Sequence, residues 1–352
     1  MRIKLLGGGL ILLFLTALAV AAEQVELNPK HPERYTVVKG DTLWDIAGRF
    51  LAKPWQWPDV WKTNPQIKNP HLIYPGDVIV LSYRNGAPQL HVERGGAAER
   101  GSTVKLSPKV RVEPLEQAIP TLPLNAIQAF LTQTRVVDKQ EMETAPYIVA
   151  SAGEHLISGP GGKIYARGFA DGQDVARFGI FRLGEPYRDP DAQDNAVIGY
   201  EGIYVGEARM EKPGDPASLV IARAVREVLN GDRLLALEDR GIEHNFLPHA
   251  PAQPVEGRIL SVVGGVTRIG QYNVVALNLG KQNGMEVGHV LAAYQSGDAV
   301  RDTVSGKRGE RVQLPDERAG LIMVFRVFER MSYALVMEAN GPIRLHDAVK
   351  NP

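Results

Sequence analysis

The sequence predicts an α+β multidomain protein, in which a small β-α-α-β module precedes a mostly-β, barrel- or sandwich-like region. All four Trp fall between Trp44 and Trp61, which marks a compact aromatic module near the amino terminus. Beyond residue 145, short β-prone runs alternate with Gly, Asn-Gly and Asp-Gly turn signals, a spacing typical of β barrels and sandwiches. The 352 residues are 44% hydrophobic, which is enough for several packed cores.

Charge and cysteine content exclude several function classes. Lys and Arg number 40 against 40 Asp and Glu, so no strongly basic surface for nucleic acid is expected. The chain has no Cys, which excludes disulfides, thiolate metal sites and enzymes with a cysteine nucleophile.

Residues 1–22 have the pattern of a secretory signal peptide. Arg2 and Lys4 precede an uncharged apolar run, Leu5 to Ala22, which ends in small residues. An uncleaved anchor is the alternative, because the run is nearly long enough to span a bilayer. With cleavage, which the small-residue exit favours, we expect a periplasmic protein with no membrane span.

Residues 35–81 predict a strand, two helices and a strand. Tyr35–Lys39 alternates like a strand. Asp41 or Thr42 is placed to N-cap a first helix, and Asp45, three residues after Thr42, would complete a capping box. Leu43, Ile46, Ala47 and Phe50 follow at helical spacing, as its buried stripe. Pro58 suits the first turn of the second helix, and Val78–Leu81 is the final strand.

These residues resemble the LysM family from end to end of the module. The resemblance rests on four stretches: Tyr35-Thr36-Val37, Lys39 to Ala47, Asn64-Pro65, and Asn69-Pro70-x-Leu72-Ile73-Tyr74-Pro75-Gly76-Asp77. It implies a LysM domain at 34–82 with a two-stranded sheet backed by two helices, which binds the N-acetylglucosamine units of peptidoglycan or chitin.

The resemblance also implies the position of the sugar groove, between the first strand-to-helix loop and the loop before the last strand. Exposed amides and the Thr42 hydroxyl could bond the acetamido group, while Leu43 and Ile73 could cover its methyl. The expected glycan-binding residues are Gly40, Asp41, Thr42, Leu43, Ile67, Asn69, Pro70, Ile73 and Tyr74.

The segment between the two helices, Leu51–Trp57, is longer and richer in Trp than in the shortest LysM modules. Trp55 and Trp57 could extend the sugar site by stacking, but core packing is the favoured interpretation because so small a module has little else to bury. Trp44 and Trp61 are expected in the core.

The remaining chain divides into a linker with short strands at 83–119, a first β-rich domain at 120–240 and a second at 255–352. A short helix is expected near Ala126–Leu131. A weak internal repeat pairs Gly172-x-x-Val175 with Gly284-x-x-Val287, Ser218 with Ser332, and Gly231-Asp232 with His346-Asp347. Tandem duplication is the interpretation of this repeat, and a chance match is the alternative.

No catalytic signature stands out. The eight His form no HxH, HExxH or HxxxD pattern, so zinc peptidase layouts have no support. Ser102-x-x-Lys105 has the spacing of a serine acyltransferase pair, but it lies in a predicted strand or linker rather than on a helix. We therefore expect a protein that is not an enzyme and uses no cofactor or metal.

Three later segments carry further resemblances. Ile119–Leu131 and Ala145–Ala150, following the LysM module, are similar to the secretin-associated LysM proteins of type IV pili, the TsaP family. Leu277–Gly288 looks like the carboxy-terminal domain of flagellar assembly protein T. In the TsaP family the LysM part grips peptidoglycan while the remainder meets an outer-membrane secretin.

Three hypotheses follow. The protein is a periplasmic tether between the cell wall and a secretin, a scaffold for another envelope machine such as a flagellar ring, or a LysM-targeted cell-wall hydrolase. The first is favoured. The absent Cys counts against the cysteine-dependent types of the third.

Overall fold

The computed structural model describes residues 25–61, 73–93, 118–132, 135–153, 159–170, 176–237, 246–263, 269–301 and 311–352. Several sequence predictions lie outside these residues. They are the signal peptide, the linker strands near 104–112, the repeat segment 172–175, and the groove residues Ile67, Asn69 and Pro70.

The N-terminal module, residues 25–93, has the predicted order of strand, helix, helix and strand. Its elements are β1 (Arg34–Thr36), α1 (Leu43–Phe50), α2 (Trp57–Trp61), β2 (Val78–Arg84) and β3 (Ala87–Glu93), with a 3₁₀ turn at Pro54–Gln56. The predicted stripe of α1 is buried, and it packs with Ile73 and Ile79 in the core of the module.

The third strand corrects the prediction of a two-stranded sheet, and it lies within the segment 83–119 that is expected to be a linker with short strands. The sheet runs β1-β2-β3, all antiparallel, and β3 pairs with β2 along seven residues from Val78↔Glu93 to Arg84↔Ala87. Asn85 and Gly86 join the strands, with φ of +52° and +81°. An Asn-Gly pair between β-prone runs favours this two-residue hairpin, because both positions need positive φ.

Two short helices follow the module. They are α3 (Leu124–Thr132), at the position where a helix is expected, and α4 (Lys139–Thr144). The structure is only 13% helical, and the prediction of a mostly-β C-terminal region is confirmed. None of the helices in the described ranges is long and apolar enough to cross a membrane.

The first β-rich domain contains a seven-stranded sheet. Its strands are β4 (Arg135–Val137), β5 (Tyr147–Ser151), β6 (Lys163–Arg167), β7 (Arg177–Arg188), β8 (Val197–Lys212), β9 (Ala217–Ala224) and β10 (Arg233–Ala236). The order is β4-β8-β7-β10-β5-β6-β9, and β8 also pairs with β9. Because β8 pairs with β9, the six strands from β5 through β10 close into a ring, here called the first ring, and β4 also pairs with β8.

Six of the next eight strands form a closed barrel, the second ring. The strands are β11 (Glu256–Val263), β12 (Val274–Leu277), β13 (Val290–Gln295), β14 (Ala299–Arg301), β15 (Arg311–Gln313), β16 (Glu317–Val327), β17 (Ser332–Ala339) and β18 (Ala348–Lys350). The barrel order is β11-β12-β17-β16-β13-β18, while β14 and β15 form a separate two-stranded ribbon.

Both rings have the same connectivity. With the strands of each ring numbered one to six along the chain, the order around either ring is 1-2-5-4-3-6. The turns before the sixth strands also match: the Asp232 carboxylate accepts from the Leu229 amide, and the Asp347 carboxylate from the Arg344 amide, each at 2.8 Å. These are the aspartates that the sequence repeat aligns.

All four Trp are buried, which confirms the core interpretation. Trp57 and Trp61 lie in the core of the N-terminal module. Trp44 and Trp55 belong instead to a cluster that includes Tyr333 of the second ring. In this arrangement no indole face of Trp55 or Trp57 is free to stack on a sugar, and the module is packed against the β region.

Candidate glycan-binding groove

The β1–α1 loop, residues 37–42, is one wall of the predicted groove. Gly40 has φ of +100°, and a Cβ added there would meet no atom within 4 Å, so the backbone conformation rather than crowding requires glycine. The Asp41 carboxylate accepts from the Val38 amide at 2.9 Å and from the Tyr35 hydroxyl at 3.0 Å. Burial and this bond raise the pKa of Tyr35. Asp41 therefore holds the loop shape.

Thr42 serves the helix. Its hydroxyl accepts from the Asp45 amide at 3.1 Å and donates to the Asp45 carboxylate at 2.7 Å, and the residue is 4% exposed. Thr42 is thus the N-cap of α1, and the Asp45 carboxylate binds its hydroxyl rather than the Thr42 amide that a complete capping box would use. The hydroxyl proton is already engaged, so the bond that we expected from it to an acetamido group is not available in this conformation.

Ile73 and Tyr74 form the described part of the opposite wall. Ile73 is fully buried, and Tyr74 enters a turn in which its amide donates to the Asp77 carboxylate at 3.0 Å. The Val37 amide donates to the Asp77 carbonyl at 2.8 Å, which ties this turn to the end of β1. The structure therefore brings the described end of this wall, Ile73 and Tyr74, next to the β1–α1 loop.

The space between the walls holds the chain's own segment 118–122. The Leu43 amide donates to the Pro120 carbonyl at 3.0 Å, and the Trp44 amide to the Thr121 carbonyl at 3.3 Å. On the other side, the Ile119 amide donates to the Ile73 carbonyl at 2.8 Å. In the sequence, residues 119–122 are distinguished only by a family resemblance, which does not indicate that they lie in the groove.

The second ring also approaches this loop. Tyr272 hydrogen-bonds Asp45, and burial together with that carboxylate raises the pKa of the phenol. In the same region, Arg326 Nη1 donates to the carbonyls of Phe130 at 3.0 Å and Leu131 at 3.3 Å, which holds the end of α3. The groove, α3 and the second ring are therefore in one packed arrangement.

Contacts between the two rings are both apolar and polar. The hydroxyls of Tyr187 and Tyr333 lie 3.1 Å apart in a buried site, where burial raises the pKa of Tyr187 to about 12. Arg258 Nε donates to the Asp191 carboxylate at 2.8 Å. The two rings are thus in direct contact.

Among the described residues, His249, Glu286 and His289 are close enough to hold a metal ion. The bonding argues against it. The Glu286 amide donates to Nδ1 of His289 at 3.1 Å, so the neutral ring carries its proton on Nε2 and has no free lone pair. Burial and the neighbouring His249 lower the pKa of His289. We infer a neutral, structural histidine.

Comparison with known proteins identifies the module. The family model of the LysM domain matches residues 35–82. The chain is also similar to the uncharacterized protein YqbP of Bacillus subtilis (strain 168), with 44% identity over 60 residues that cover 14% of this chain and 27% of the relative. The chain thus spans about a quarter of the curated relative that it matches.

A LysM domain is a binding module for peptidoglycan or related carbohydrate rather than a catalytic one, and no enzyme family is indicated. Residues 35–82 therefore form a LysM domain, joined to a mostly-β region that contains a six-stranded barrel.

Proposed function

We propose that this chain is a non-catalytic periplasmic protein that binds peptidoglycan through residues 35–82 and anchors an envelope complex with its two rings. The observation that carries the proposal is the LysM match, on a module whose helix cap, loop turn and core are all formed. The signal-like residues 1–22 support export.

The glycan site of this proposal is the groove between Gly40–Leu43 and the loop that ends at Tyr74. Backbone amides at the start of α1 are suited to an acetamido carbonyl, and Leu43 and Ile73 to its methyl. Ile67, Asn69 and Pro70 complete the proposed site.

The partner platform of this proposal is the pair of rings. Their equal strand order and matched aspartate turns support an origin by tandem duplication. The resemblance of Ile119–Leu131 to secretin-associated proteins favours a type IV pilus secretin as partner. The resemblance of Leu277–Gly288 to flagellar assembly protein T supports a flagellar ring as the second candidate.

Sedimentation with purified sacculi tests wall binding. Residues 23–352 should sediment with sacculi, and soluble N-acetylglucosamine oligomers should compete. Full retention after deletion of residues 35–82 would refute the proposed site. Released muropeptides would instead support the hydrolase hypothesis, and crosslinking in cells separates a secretin partner from a flagellar one.

A further inference from the structure

We propose that residues 118–122, the plug segment, occupy the glycan groove and must be displaced before a sugar enters it. This inference rests on the proposed function of the LysM domain and adds a regulation of the same site. Glycan binding would then compete with the packing of the LysM domain against the β region.

The plug segment hydrogen-bonds the same wall amides and carbonyl that could bind the acetamido group of a sugar. An acetamido group has one carbonyl acceptor and one N–H donor, as a peptide unit has. The amides of Leu43 and Trp44 already donate to plug carbonyls, and the Ile73 carbonyl already accepts from the Ile119 amide. Two donors at the start of α1 and one acceptor on the opposite wall are therefore already satisfied by the chain.

The apolar part of the groove is also covered. Ile119 is 4% exposed and packs in the same core as Leu43 and Ile73, the two side chains expected to cover an acetamido methyl. A sugar methyl and the Ile119 side chain cannot occupy this surface together, because protein cores are close-packed.

The plug segment is held from its other end by the second ring. Leu122 and Ile127 are buried in a cluster with residues of that ring, and Arg326 holds the carbonyls at the end of α3. Displacement of the plug therefore disturbs the contact between the LysM domain and the ring. A partner that binds the β region and loosens this contact would increase wall binding by raising the population with an open groove.

Substitution of Ile119 tests this inference in the mature full chain, with the N-acetylglucosamine tetramer as probe. Ile119→Ala weakens the plug, while Ile148→Ala removes the same atoms from the core of the first ring and is the matched control. We expect Ile119→Ala to raise tetramer affinity about 10-fold or more, and Ile148→Ala to leave it unchanged. Equal affinity of all three proteins would overturn the plug but leave wall binding intact, whereas no binding by any of them overturns both.

Amide hydrogen exchange of the unmodified chain avoids any folding defect of a variant. Without sugar, the Ile119 amide should be protected by its bond to Ile73. Saturating tetramer should accelerate its exchange about 10-fold or more, since the segment leaves the groove. Unchanged or increased protection of this amide in a tetramer-saturated chain would contradict the plug.

Discussion

Asp232 and Asp347 occupy equivalent turns in the two rings but have different partners. Arg182 pairs with Asp232 in a bidentate geometry, Nε to Oδ1 at 2.8 Å and Nη2 to Oδ2 at 2.9 Å, and the Asp232 side chain is 2% exposed. The Asp347 carboxylate accepts only from the Arg344 amide among its described hydrogen bonds, and burial is the main cause that raises its pKa. The same substitution should therefore have different effects in the two turns.

Asp232→Asn should lower the free energy of unfolding by about 2 kcal/mol, because charge-assisted bonds are strong but Arg182 is partly exposed to solvent. For a unit of about 100 residues this corresponds to a loss of about 10 °C in Tm. An asparagine can still accept from the Leu229 amide, but its Nδ2 then faces the guanidinium.

Asp347→Asn should leave stability at neutral pH unchanged or slightly higher. A raised carboxyl pKa means that the folded state binds more protons than the unfolded state, so ionisation at higher pH costs stability, and asparagine removes that cost. Scanning calorimetry of both variants at pH 7 and pH 4 measures the difference. Equal losses at pH 7 would refute the reasoning.

Two further predictions concern the second ring. His289→Asn keeps an acceptor for the Glu286 amide but cannot ionise. Because the pKa of His289 is lowered in the folded state, the unfolded state binds more protons, and the stability of the unmodified chain should fall as pH drops below about 6.5. Denaturant melts should show a flatter pH dependence for the variant. An equally steep dependence in both proteins would exclude His289 as the cause. Tyr272→Phe removes the bond to Asp45 and should lower the free energy of unfolding by about 1 kcal/mol. Tyr294→Phe, at a ring that lies near Lys350, should cause no change. Equal losses in thermal melts would show that the Asp45 bond contributes nothing.

Local sequence patterns were sufficient to predict most of the LysM domain. The α1 stripe and the Thr42 cap follow from residue spacing, and both are present. The β3 strand is not predicted, because the composition beyond residue 83 is typical of a linker. The Asn85-Gly86 pair is nevertheless a hairpin signal that favours such a strand. The pairing of β3 with β2 could therefore be predicted from this local sequence pattern.

Nonlocal contacts could not be predicted in the same way. The plug segment binds the groove mainly through backbone groups, which every residue type carries, so its sequence does not predict these bonds. Ile119 is the one plug residue whose side chain packs with the groove residues Leu43 and Ile73. The split of the four Trp between two cores depends on how the LysM domain meets the second ring. Closure of the first ring depends on β8, which pairs with both β7 and β9 through bulges that the alternation of residues does not reveal.

Sacculus binding by two glycine variants tests the central claim most directly. Gly40 and Gly86 both have positive φ with open space at the Cβ position, but only Gly40 lies in the groove. An L-residue costs about 1–2 kcal/mol in such a conformation, so both Ala variants should lose similar stability. We predict about 10-fold weaker sacculus binding for Gly40→Ala, because sugar binding must restore the strained loop conformation and about 1.4 kcal/mol is a factor of ten, and unchanged binding for Gly86→Ala. Equal binding by the two variants would contradict a glycan site in this groove.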